Sequence, residues 1–97
     1  MKVYIAGKIT GDDYNKVTDK FLAADSHLSA AGHLVMRPTC LPLGFSHKDY
    51  MHICYAMIDV CDAVFFLKDW KKSEGASLEH SYAKDNHKKI IYEGGLK

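Results

Sequence analysis

Four short apolar runs alternate with three stretches of helical periodicity along this chain. Lys2-Val3-Tyr4-Ile5-Ala6, Leu34-Val35-Met36, Asp62-Ala63-Val64-Phe65-Phe66-Leu67 and Lys88-Lys89-Ile90-Ile91-Tyr92-Glu93 read as strands. Strands separated by helices cannot pair as hairpins. They pair in parallel through crossovers, and the helices then cover both faces of the sheet. The expected fold is therefore α/β: a single small flavodoxin/Rossmann-like domain over residues 1–97, with a four-stranded parallel sheet of order 2-1-3-4. Its switch point lies between the first and third strands, where ligands bind in such sheets.

The helices are legible from their stripes. Asp12 or Asp13 is placed to cap the first, along which Tyr14, Val17, Phe21, Ala24, Leu28 and Ala31 recur at spacings of three and four. Gly32 stops it as the residue beyond the cap. Ser46 and Asp49 are spaced like a capping box for the second, whose inward face is Tyr50, Cys54, Met57, Ile58 and Cys61. Cys54 and Cys61 thus read as core thiols. Between these helices, the segment from Pro38 to Ser46 is apolar for a loop, which suggests that it covers a pocket or an interface.

Two loops converge on the switch point. Gly7-Lys8-Ile9-Thr10-Gly11 follows the first strand, and the polar loop through Trp70 to Gly75 follows the third. The first is not a P-loop, because the upstream Gly-x-x-x-x-Gly frame is missing. After the second loop a helix begins, with Ser73 as N-cap and Glu74 in the first turn. Free N–H groups there offer an anion site. Helical spacing puts Gly75, Leu78, Glu79, Tyr82 and Ala83 on the face toward the sheet. A carboxylate in that stripe needs a partner or a task. The bland alternative has Glu79 at the stripe's edge with its head in solvent.

Composition narrows the function classes. A formal net charge of +1 argues against a nucleic-acid or membrane-surface partner. No run is long and apolar enough to span a membrane, and no signal-peptide core opens the chain. The three cysteines, Cys40, Cys54 and Cys61, lack a Cys-x-x-Cys pair and read as reduced thiols of a cytoplasmic protein. The six histidines have no metal-ligand spacing, so neither a metal site nor another cofactor is expected.

Three segments together resemble the nucleoside 2-deoxyribosyltransferase superfamily, in particular its short phage and bacterial members. They are Tyr4-Ile5-Ala6-Gly7-Lys8-Ile9-Thr10-Gly11, Asp62-Ala63-Val64, and Ser73-Glu74-Gly75-Ala76-Ser77-Leu78-Glu79-His80-Ser81-Tyr82-Ala83. The resemblance covers nearly the whole chain and implies cleavage of the N-glycosidic bond of a 2′-deoxynucleoside or its 5′-monophosphate. It makes Glu79 the nucleophile and Tyr4 its orienting group. The chain is also similar to 2′-deoxynucleoside 5′-monophosphate N-glycosidases, whose phosphate loops match Gly7, Ile9 and Gly11 on one side and Ser73 and Gly75 on the other. Ser73, standing where transferases tend to carry Asp, favours a nucleotide over a nucleoside. Trp70 is a stacking candidate for the base.

One departure bears on chemistry. The resemblance implies a general acid/base Asp eight residues before the acid that opens the third strand, and that position is Cys54. Asp49 and Asp59 are the nearby acids left for that role, although the first fits a cap and the second lies off the buried stripe. Two readings follow: an enzyme acting at the N-glycosidic bond, or a non-catalytic binder that sequesters a nucleotide-derived signal. The apolar loop and the second helix also suggest a homodimer.

Overall fold

The computed structural model describes residues 1–95, so Leu96 and Lys97 of the expected tail lie outside the described residues. Four parallel strands form one sheet: β1 (Lys2–Ala6), β2 (Leu34–Met36), β3 (Ala63–Phe66) and β4 (Lys89–Tyr92), in the order β2-β1-β3-β4. Register places Tyr4 beside Met36 on one side and Val64 on the other. The central strands are β1 and β3, and the backbone of each is flanked on both sides. Their four inner positions are buried in both cases, as continuous apolar runs demand.

Three helices cover the sheet: α1 (Tyr14–Ala30), α2 (His47–Val60) and α3 (Glu74–Asp85). Asp13 caps α1 by accepting from the Asn15 N–H, and Gly32 beyond its end takes the left-handed φ of 93° that favours glycine. Val17, Phe21, Ala24 and Leu28 of α1 pack on Val3, Ile5, Ala63 and Phe65. The opposite sheet face, with Tyr4, Ala6, Val64 and Phe66, packs on Cys54, Met57 and Ile58 of α2 and Ala83 of α3. The sheet is therefore covered on both faces, and the strands' period of two sorts their residues between two cores.

Several details differ from the sequence reading. Tyr14 and Ala31, at the two ends of the α1 stripe, are exposed: Tyr14 is the first residue of the helix and Ala31 its C-cap. Cys61 is the C-cap of α2 rather than part of it, and is buried. On α3 the buried positions are Ala76, Glu79 and Ala83, whereas Leu78 is exposed and Tyr82 half-buried. The inward face is rotated toward Ala76, since small side chains let the helix approach the sheet closely. Glu79 stays at its centre.

Candidate active site

Tyr4 and Glu79 meet because of two local rules. Alternation along β1 turns Tyr4 toward the α2 and α3 face, whereas Val3 and Ile5 turn the other way. Ser73 starts α3 by accepting a hydrogen bond from the Ala76 N–H, which sets the phase of the helix and puts Glu79 inward in its second turn. The Tyr4 hydroxyl donates to Glu79 Oε2 at 2.6 Å, across a separation of 75 residues. Tyr4 is wholly buried and Glu79 is 5% exposed. The sequence had left open a Glu79 head in solvent, and that alternative is excluded.

The surroundings oppose charge. Burial raises Glu79 to about 7, while bonds from Tyr4 and Cys54 pull the other way. Burial also raises the Cys54 thiol to about 12, with Glu79's charge adding to it, so the sulfur stays protonated. Tyr4 is pushed well above its ordinary value by burial and then by Glu79. Glu79 is thus the group of the three that titrates near neutrality.

These three residues line a cavity of about 180 Å³, below the usual range for drug-sized ligands. Gly7, Ile9, Ser73 and Gly75 line it too. Gly7 has no room for a side chain: a Cβ there would lie 2.6 Å from Leu67 Cδ1. Gly75 meets nothing closer than 3.5 Å, so its lack of a side chain leaves space beside Met51 and His47.

Other expected site residues fall elsewhere. Trp70 does not line the cavity; its ring stacks on His80 at 4.1 Å and leans on Phe66, which makes it packing rather than a base platform. Gly11 lies outside the cavity lining at a φ of 87°, where it serves the turn. Asp49 is exposed at the start of α2, its N–H bonded to the Ser46 hydroxyl. Asp59 is exposed and accepts from the Tyr82 hydroxyl at 2.6 Å. Neither acid reaches the cavity, so neither stands in for the missing acid/base. Among the described residues, no group of three or more His, Cys, Asp or Glu is arranged to hold a metal ion. No described helix is long and apolar enough to cross a membrane.

Thr10 of the first loop, Tyr14 and Tyr50, which the sequence placed on helix stripes, and His47 and Met51, to which it assigned no role, also line the cavity. The one signal for this wall was the apolar segment after Pro38. Pro38, Thr39, Leu41 and Leu43 from that segment do line the cavity.

Comparison with known proteins agrees with the fold. A solved structure of a 2-desoxiribosyltransferase from Leishmania mexicana superposes with a TM-score of 0.72 at 18% identity, over 94% of this chain and 62% of that one. The chain thus spans about three fifths of that protein, and at this identity the likeness speaks for the fold. No curated protein matches the chain. The family described as a domain of unknown function, DUF4406, matches residues 1–92, which takes in every strand and helix described above and the Tyr4–Glu79 pair between them, so the chain belongs to that family.

Proposed function

We propose that this chain acts on the N-glycosidic bond of a 2′-deoxynucleoside or its 5′-monophosphate, as a hydrolase or a transferase, with Glu79 as nucleophile. The observation that carries this reading is the buried Glu79, held by Tyr4 at 2.6 Å and lining the cavity at the sheet's switch point. A likeness in fold to a 2-desoxiribosyltransferase supports it. In the first step a Glu79 carboxylate oxygen bonds to the anomeric carbon as the carbon–nitrogen bond breaks, and the electron pair leaves with the base, which takes a proton from solvent water. In the second, water or another base attacks the same carbon and frees the carboxylate. Tyr4 fixes one carboxylate oxygen and so limits the rotamers of the nucleophile.

Nucleophilic attack needs the ionised form, so the rate should rise with pH through about 7, where Glu79 loses its proton. Ser73 and the first N–H groups of α3 form the part of the cavity suited to a 5′-phosphate, and Gly7 and Ile9 of the first loop line the same cavity. Leu43 and Phe45, exposed on the apolar loop, support association into a homodimer.

Cys54 favours a second reading. It lines the cavity beside Glu79 with its thiol held protonated, and a thiol of that kind is a poor acid for a departing base. On this reading the protein binds and retains a nucleotide-derived molecule without turnover. One assay separates the two: free-base release, followed by chromatography, over the four common deoxynucleoside monophosphates and their nucleosides. The enzyme reading expects turnover in the wild type and its loss in Glu79→Gln, with binding kept. Undiminished turnover in Glu79→Gln would sink the nucleophile assignment. Tight ligand retention without turnover selects the binder.

A further inference from the structure

We propose that Lys20 and Asp69 are positioning residues. Together they clamp the loop after β1 in the shape that forms one wall of the cavity. Asp69 Oδ1 accepts the Lys8 N–H at 3.0 Å. Lys20 Nζ donates to the Lys8 carbonyl at 2.6 Å and to Asp69 Oδ2 at 2.5 Å. Both backbone polar groups of Lys8 are thus held by a single ion pair. Its two members come from helix α1 and from the loop after β3.

The placement of this pair gives it a role beyond an ordinary surface bridge. Lys8 lies between Gly7 and Ile9, which both line the cavity, whereas neither Lys20 nor Asp69 does. The loop has left the sheet at this point. The last backbone bond between β1 and the end of β3 runs from the Leu67 N–H to the Ala6 carbonyl. Beyond it, the side chains of the pair supply partners that a strand would otherwise supply. Because Lys8 is joined by its peptide bonds to Gly7 and Ile9, a shift of its backbone moves two residues of the cavity wall. Both side chains of the pair are 28% exposed, so the contact is partly shielded from water.

The charges close on themselves. Lys8 Nζ pairs with Asp12 at 3.0 Å, and Lys20 Nζ lies 3.7 Å from the other oxygen of Asp12. Two lysines and two aspartates leave the cluster formally neutral. In this arrangement each lysine of the loop region already has an aspartate partner.

The catalytic part of the test rests on the proposed function; the structural part does not. Lys20→Met and Asp69→Ala each remove one arm, with Asp69→Leu, similar in size but without an acceptor, as the substitute should the Ala variant fail to fold. Lys16→Met, a similar charge change at an exposed site of the same helix, is the control. Two readouts are taken on each: exchange of the Lys8 amide by NMR, against amides of β3 as reference, and kcat and KM for base release from the deoxynucleoside monophosphates. We expect the Lys8 amide to exchange about tenfold faster in the clamp variants, the scale of one charge-assisted hydrogen bond. KM should rise by about the same factor, with a smaller change in kcat, because the wall of the cavity is loosened and the nucleophile is not. The control should move neither. An unchanged Lys8 exchange overturns the clamp. Faster exchange with kcat and KM both unaltered overturns the positioning role. If the wild type releases no base, the proposed function fails on its own account, and the Lys8 exchange then decides the clamp.

Discussion

The two faces of the sheet are built from alternate residues of the same strands, yet they do different things. Toward α1 the strands present Val3, Ile5, Ala63 and Phe65, and the helix answers with Val17, Phe21, Ala24 and Leu28, all buried. Toward α2 and α3 they present Tyr4, Ala6, Val64 and Phe66, and there the helices bring Cys54 and the buried Glu79. One face closes as plain hydrocarbon. The other carries a carboxylate whose ionisation burial opposes, raising it to about 7. A carboxylate held against its preference is stabilising only in its neutral form, so the second face gives up some stability at neutral pH.

Truncation at the centre of the first face should break this contrast most clearly. Phe21 is wholly buried, and Phe21→Ala should destabilise the fold by about 3–5 kcal/mol in urea unfolding. Ligand affinity measured well below the unfolding midpoint should hold. An equally large loss of affinity in the folded protein would mean that the two faces are not independent.

The second face is tested by pH. In the unfolded chain Glu79 titrates near 4.5 and in the folded protein near 7. Between those values the folded state binds more protons than the unfolded state. The contribution is therefore fully present below the unfolded value and is lost as pH rises through the folded one. Relative to Glu79→Gln, the wild type should lose about 3 kcal/mol between pH 4.5 and pH 8. Parallel stability profiles for the two proteins would show that Glu79 ionises without penalty.

A smaller effect distinguishes phosphate from sugar at the end of α3. Ser73→Asp keeps a good N-cap, so melting should change little, but it adds a negative charge at the cavity. Affinity for a deoxynucleoside monophosphate should fall on the order of tenfold, with the matching nucleoside unaffected, as measured by calorimetry. Equal losses for both ligands would remove the phosphate from the proposed site.

Period-two and period-3.6 patterns in the sequence determined four strands, three helices and their parallel order, because alternation of buried and exposed positions is a local property of the chain. They also placed Glu79 on an inward face, and the structure puts it at the centre of that face. What they did not determine was anything that depends on which distant side chains touch. Trp70, in a loop that composition marked as a binding loop, turned to stack on His80 instead. Asp49 and Asp59, close in sequence to the acid/base position, ended on the exposed side of α2. Lys20 and Asp69 are separated by 49 residues and by most of the fold, and no spacing rule joins them. The Tyr4–Glu79 bond spans 75 residues in the same way. Periodicity states which way a side chain faces. Only the packing of α3 over β3 and β4 and against α2, with its phase set by the cap at Ser73, decided what it would face.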